Sequence, residues 1–153
     1  MIKTILKMVH SVRCFYWWLV CPSTRGVRAI VVDGDGKINL VRHKYQEGWF
    51  LPGGKVGKNE EYESALRREL REELGIDAIS HLEKFGEYSN SYEYKRDTIV
   101  VFVAHSFTQK LVLHFEIEEQ RFFDPRMLPD GVSPGTRRRV EEWLGQKIIT
   151  KQW

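Results

Sequence analysis

Two cysteines, Cys14 and Cys21, in 153 residues are too few for a disulfide framework, and neither has a His or Cys partner at zinc-ligand spacing. A reducing, cytoplasmic setting is the expectation. Long apolar runs are also missing. The most apolar stretch, CFYWWLVC from Cys14 to Cys21, is much shorter than the roughly 18 residues of a membrane span. His10 and Arg13 interrupt any leader-peptide core, and no small-residue cleavage site follows. Charge of one sign is scarce: 24 Lys and Arg face 21 Asp and Glu, for a net +3. That excludes the dense basic stripe of a dedicated nucleic-acid binder. There is no internal repeat, low-complexity tract or long linker. What remains is one globular domain, 42% hydrophobic and 29% charged.

The hydrophobic pattern changes along the chain. Ile2, Ile5, Leu6, Val9, Val12, Tyr16 and Leu19 recur at three- and four-residue spacing and predict an amphipathic helix ending before Pro22. We take residues 1–22 as an N-terminal helical extension and 23–153 as the main domain, with Ser23–Gly26 as a hinge. Val27–Val32 reads as a strand, Asp33-Gly34-Asp35-Gly36 as a hairpin turn and Lys37–Arg42 as the returning strand. Trp49–Leu51 is a short strand stopped by Pro52-Gly53-Gly54. A helix is predicted from about Glu60 to Leu74, with Gly75 as its cap. Strands are expected over Leu82–Tyr88, Thr98–Phe107 and Leu111–Phe115, with a short one at Phe122-Phe123. Ser133 and Pro134 open a last helix that runs to about Leu144. The order implies an α/β chain with a mixed sheet between helices.

The central helix crowds Glu69, Glu72 and Glu73 into one turn. Like charges at such spacing repel, so the choice needs a reason. Counting about 100° per residue from Tyr62, Leu66, Leu70 and Leu74 fall at about 40°, 80° and 120°. Glu73, Glu69 and Glu72 fall at about 20°, −20° and −80°, in or beside that apolar stripe. Ser64, Arg67, Arg68 and Arg71 take the far side. A solvated helix laced with ion pairs would spread its acids over the outer face. Carboxylates at the core edge are costly to desolvate, and a hard divalent cation removes the cost. Gly53 and Gly54, just upstream, let the backbone approach a ligand with no Cβ in the way. Together they suggest a loop–helix cradle for a metal-bound diphosphate.

Gly54, Glu60, Arg68, Glu69, Leu70, Glu72, Glu73, Gly75 and Ile76 occupy every fixed position of a known signature. It is a Gly, five residues, a Glu, seven residues, then Arg-Glu-U-x-Glu-Glu-x-Gly-U with U aliphatic. The segment resembles the Nudix (MutT-like) hydrolases, and the flanks are similar to that family from about Gly26 to Leu144. The resemblance implies a Nudix-like α/β/α sandwich and hydrolysis of a nucleoside diphosphate linked to another moiety, or of a nucleoside triphosphate. It implies Mg²⁺, with Mn²⁺ an alternative, and a small nucleotide-type substrate. Glu72 and Glu73 are implied metal ligands, Glu69 a ligand or the water-activating base, the Gly53 carbonyl a further ligand, and Glu60 with Arg68 a pair holding loop to helix. Departures stand at Gly57, where many relatives carry Glu, at Asn59, where Gly is usual and left-handed geometry is expected, and at Glu61, which replaces a Ser or Thr helix cap. The rival reading is a nucleotide-binding or sensing module with the same fold and little turnover.

Family members often add an acidic residue from outside the signature. Glu116, Glu118 and Glu119 are candidates, Glu116 and Glu119 ahead of Glu118, against a plain solvated turn. Arg28, Arg42, His43 and Lys44 flank the first hairpin and are candidates for substrate phosphates, as Arg96 and Asp97 are for the same pocket. Trp49 and Tyr45 are candidates to stack on a base, or core. Arg137-Arg138-Arg139 reads as a solvated helix face rather than an RNA or membrane contact. The aromatic N-terminal segment has three open roles: packing on the domain or on a second subunit in a homodimer, lying on a membrane surface, or gating the pocket.

Overall fold

The computed structural model describes residues 23–92, 95–112 and 114–153. The helix expected over residues 1–22, with its dimer, membrane and gating roles, lies outside them. Among the described residues no helix is long and apolar enough to cross a membrane.

Six strands and two helices follow in the order β1 (Ser23–Val31), β2 (Ile38–His43), β3 (Gln46–Phe50), α1 (Tyr62–Leu74), β4 (Ile76–Tyr92), β5 (Lys95–Gln109), β6 (Ile117–Phe123) and α2 (Pro134–Trp143). One sheet has the order β1-β5-β4 and the other β3-β2-β6. The first is mixed, because β1 runs parallel to β5 while β4 runs antiparallel to it. The second is antiparallel. Each helix buries its stripe in a separate core. Leu66, Leu70 and Leu74 of α1 pack with Val27, Ala29, Val31 and Phe102. Val140 of α2 packs with Ile30, Leu40, Leu51 and Val101. This is the α/β/α sandwich implied above.

The hinge expected at Ser23–Gly26 is instead the first half of β1. Its residues are polar, so no apolar alternation marks them. Two partners impose the extended form. Ser23 to Val31 pair in register with Arg96 to Ala104 of β5. On the other edge the 52–56 loop runs alongside, with Val56 N–H donating to Arg25 O at 2.8 Å, Val27 N–H to Gly54 O at 2.9 Å and Ala29 N–H to Pro52 O at 2.9 Å. Strand β4, at 17 residues, is far longer than the expected Leu82–Tyr88, because its ends pair with the 15-residue β5. The strand expected at Leu111–Phe115 does not form among the described residues of that stretch, where Leu111 and Phe115 are exposed. The short strand at Phe122-Phe123 is the end of β6.

The local punctuation is as read. Asp33 Oδ1 accepts from the N–H of Asp35 and of Lys37, which closes the first hairpin. Gly75 caps α1 in the left-handed region at φ 67°, and a Cβ there would lie 2.0 Å from Lys110 O. Ser133 Oγ accepts from Thr136 N–H at 3.2 Å and opens α2. Glu61 gives α1 no side-chain cap. Asn59 is not left-handed, since Ser106 is the sole non-glycine with positive φ among the described residues.

One packing feature differs sharply from expectation. Arg139 is not on a solvated face; its exposure is 0%. Residues after α2 turn back along β4, with Ser89 N–H donating to Lys151 O and Trp153 N–H to Ser89 O. The Arg139 guanidinium is enclosed there. It donates to Gln152 O at 2.8 Å and Glu142 Oε1 at 3.0 Å, and lies 3.9 Å from the centre of the Tyr88 ring. Tyr88 Oη donates to the other oxygen of Glu142 at 3.0 Å.

Candidate active site

A cavity of about 570 Å³ opens between the two sheets and the start of the signature loop. Strand alternation explains its walls. Val27, Ala29 and Val31 of β1 pack in the α1 core, whereas Thr24, Gly26 and Arg28 alternate with them and line the cavity, joined at its edge by Arg25, whose guanidinium lies over the Tyr62 ring. Asp97 and Ile99 continue that wall on β5, beside Thr24 and Gly26 in register. His43, Tyr45, Gln46 and Phe50 close it from β2 and β3. The third side is Gly53, Gly54 and Lys55 with Glu69 and Glu73 of α1.

The two glycines are there for space. A Cβ on Gly53 would lie 2.3 Å from Val27 O, and its φ is 130°. A Cβ on Gly54 would lie 2.4 Å from the Glu69 carboxyl carbon. The loop thus touches β1 on one side and a carboxylate on the other. Gly54→Ala is accordingly expected to displace Glu69 and lower any activity of the site by about tenfold or more. Steady-state rates of the variant, alongside its far-UV circular dichroism, would check this.

Glu73 is the buried acid of the set, 7% exposed. Its Oε2 accepts from Gly53 N–H at 2.9 Å. Burial pushes its carboxyl up to about 7, against the smaller pull of that amide and of Arg28. Glu69 lies beside it, half-buried, and accepts from Arg68 Nη1 at 2.8 Å. Arg28 donates to the Gly53 carbonyl, and burial lowers its own pKa. His43 is nearly buried and its pKa is lowered, first by burial and then by Arg28. Glu116 completes the ring of charges at this end.

Not every residue singled out by sequence arrives here. Glu72 is exposed and outside the lining, 3.6 Å from Arg68. Arg68 does not face away from the site: its fork grips both oxygens of Glu60 at 2.9 and 3.0 Å and its third nitrogen reaches Glu69. That grip holds Glu60 down at about 2, and Glu60 also accepts from Gly57 N–H. Glu119 and Glu118 pair with Arg42, at 2.6 and 3.1 Å, and do not line this cavity. Trp49 is a core residue, 7% exposed, packed edge-on to Phe123. Arg96 is exposed and outside the lining, whereas its neighbour Asp97 is inside. Thr24, Gly26, Phe50 and Ile99 were not anticipated as lining. The signal that would have found them is the alternation of Thr24, Gly26 and Arg28 opposite apolar Val27 and Ala29.

The donor set suits a hard cation. It is carboxylate and backbone oxygen, the ligands that Mg²⁺ and Mn²⁺ take, and it includes a buried acid with an elevated pKa beside a glycine cradle. Among the described residues no three His, Cys, Asp or Glu side chains converge as a ready cage. Arg28 and Arg68 lie against the donors instead.

Residues 22–144 match the NUDIX domain. The CTP pyrophosphohydrolase of Escherichia coli (strain K12) is 42% identical over 71 residues, covering 44% of this chain and 49% of that protein. The ADP-ribose pyrophosphatase of Methanocaldococcus jannaschii is 35% identical over 111 residues, covering 66% and 64%. The chain thus spans about half to two-thirds of the length of these relatives. The crystal structure of a MutT NUDIX hydrolase from Burkholderia pseudomallei superposes with a TM-score of 0.68 at 30% identity, over 78% of this chain and 96% of that one. This chain belongs to the Nudix family.

Proposed function

We propose that the chain is a divalent-metal-dependent pyrophosphohydrolase that cleaves a diphosphate bond in a nucleoside triphosphate or a nucleoside diphosphate derivative, by attack of water on phosphorus. The observation that supports this most is the contact of Glu69 and Glu73 with the Gly53-Gly54 turn. Two carboxylates and a bare backbone meet there at the end of a nucleotide-sized cavity.

In this reading Glu69, Glu73 and Glu72 would hold Mg²⁺ or Mn²⁺ with the Gly53 carbonyl, and Glu116 lines the same cavity. When bound, such a cation neutralises the diphosphate oxygens and lowers the pKa of a coordinated water. Arg28 leaves the Gly53 carbonyl to meet a phosphate oxygen, a charge-assisted hydrogen bond that the carbonyl cannot match. A carboxylate of Glu69 or Glu116 would take the proton of the attacking water. Glu60 and Arg68 act on position alone, fixing the loop to α1 and aiming Glu69. The relatives named for CTP and ADP-ribose support the reaction class and leave the leaving group open between phosphate-type and sugar-type moieties. A cytoplasmic setting and action on small nucleotides belong to the same reading.

Incubation of the full chain with a panel of nucleoside triphosphates, nucleotide sugars and ADP-ribose, with Mg²⁺ or Mn²⁺, tests it. Products identified by mass should show cleavage within a diphosphate and abolition by EDTA. Binding of the panel with no turnover under any metal would favour the sensing module instead.

A further inference from the structure

The end of the cavity away from the acidic helix carries a feature that phosphate chemistry does not require. Asp97 lines it, and a free carboxylate near a polyphosphate is repulsive unless it meets a different part of the ligand. Its surroundings define that part. Thr24, paired with it in register, donates its hydroxyl to one carboxylate oxygen, which fixes the side chain and leaves the other oxygen for a ligand. The next residues facing the cavity on the two strands are Gly26 and Ile99. A Cβ on Gly26 would lie 3.6 Å from Ile99 Cγ1 and 3.8 Å from Gly54 O, so the missing side chain leaves room beside Ile99. Phe50 contributes an aromatic ring from the opposite sheet. Four steps of extended strand lead from Thr24 to Arg28, a span of about 13 Å. That is the length of an extended nucleotide, with its phosphates at Arg28 and its base at Asp97.

We propose that Asp97, held by Thr24, is a specificity-determining residue that reads an exocyclic amino group on the substrate's base, selecting amino-bearing bases over their keto counterparts. The inference rests on the nucleotide-hydrolase reading above. An ionised carboxylate only accepts hydrogen bonds, so it attracts the N–H₂ of cytosine, adenine or guanine. It repels the carbonyl oxygen that uracil or hypoxanthine presents at the corresponding edge. A site that hydrogen-bonds a ligand group discriminates better than an apolar slot, because the wrong ligand leaves the half-buried Asp97 oxygen without a partner.

The test compares kcat/KM of the full chain with Mg²⁺ for CTP against UTP and for ATP against ITP. The expected result is a preference of about tenfold or more for the amino base in at least one pair, carried mainly by KM. Asp97→Asn, which adds a donor at the same place, should collapse or invert that preference. Thr24→Val should weaken it while leaving its direction. Turnover of amino and keto partners at equal rates overturns the proposal, as does a preference that survives Asp97→Asn. So does a loss in Asp97→Asn that follows ribose against deoxyribose regardless of base, which would make Asp97 a sugar-hydroxyl contact. Failure of every nucleotide to turn over is a separate outcome, since it removes the hydrolase reading itself.

Discussion

Glu73→Gln is expected to lower metal-dependent hydrolysis by more than about a hundredfold while making the metal-free protein more stable. The first half follows from position. Even residues that only support a metal ligand commonly cost 10–100-fold when changed, and Glu73 is proposed as a ligand. The second half follows from burial. An acid at about 7 in the folded chain against about 4.5 when unfolded favours the folded state fully only below 4.5. Between 4.5 and 7 unfolding releases a proton, so stability falls as pH rises. Above 7 the cost is complete, at about 3 kcal/mol, taking about 1.4 kcal/mol per pH unit. The amide isostere keeps an oxygen for Gly53 N–H and carries no such cost. In EDTA at pH 8 the variant should therefore melt higher than the parent, with the gap closing toward pH 4.5. Added Mg²⁺ should raise the melting temperature of the parent and leave the variant unmoved. A variant that keeps full activity, or that melts lower in EDTA at pH 8, would remove Glu73 from the proposed site.

Arg139→Ala is the substitution expected to cost most in stability. It removes the cation facing Glu142 in a place where neither side chain meets water, with exposures of 0% and 2%. Breaking one partner of such a pair commonly costs about 3–5 kcal/mol, because the other charge is left without compensation. At about 2–4 °C per kcal/mol for a chain of this size, the melting temperature should fall by about 10 °C. Arg139→Lys should recover little of this. An ammonium cannot lie flat on the Tyr88 ring while also meeting Gln152 O and Glu142. Replacing Arg139 and Glu142 together by Met and Leu should cost much less than either single truncation, since no charge is then stranded. A single-variant loss under about 1 kcal/mol by denaturant titration would contradict the buried network.

The legible parts of this chain are those whose cause is local. Helix α1 shows in sequence because Leu66, Leu70 and Leu74 repeat at helical spacing and Gly75 can take the left-handed cap. The same periodicity placed Glu69 and Glu73 toward the core edge. It misplaced Arg68, whose long side chain folds back to Glu60 and Glu69 whatever the direction of its Cβ. Ser23–Gly26 was illegible as strand because its partners, Arg96–Ile99 on one edge and Lys55 and Val56 on the other, lie far away in sequence. Arg139 was illegible as core because its enclosure depends on a tail that returns only after α2 ends. The acidic trio near β6 turned on one residue. Pairing runs from Arg42–Glu119 directly to His43–Ile117, so Glu118 is an extra residue in the ladder. That shift gathers Glu118 and Glu119 on Arg42 and leaves Glu116 for the cavity.

Strand β1 serves as a rail for both ends of the cavity, since it carries Arg28 beside the glycine turn and Thr24 beside Asp97. Its pairing with β5 joins residues more than seventy positions apart, whereas the glycine turn and α1 are near neighbours in sequence. Contacts of such separation form late, because closing a long loop must precede any reward from the ladder. The turn and its acidic helix can therefore assemble on a nascent chain before the base-facing wall exists. Cation affinity would appear first during folding and nucleotide selectivity only with the final strand. In a refolding experiment, the recovery of base discrimination becomes a clock for the docking of β1.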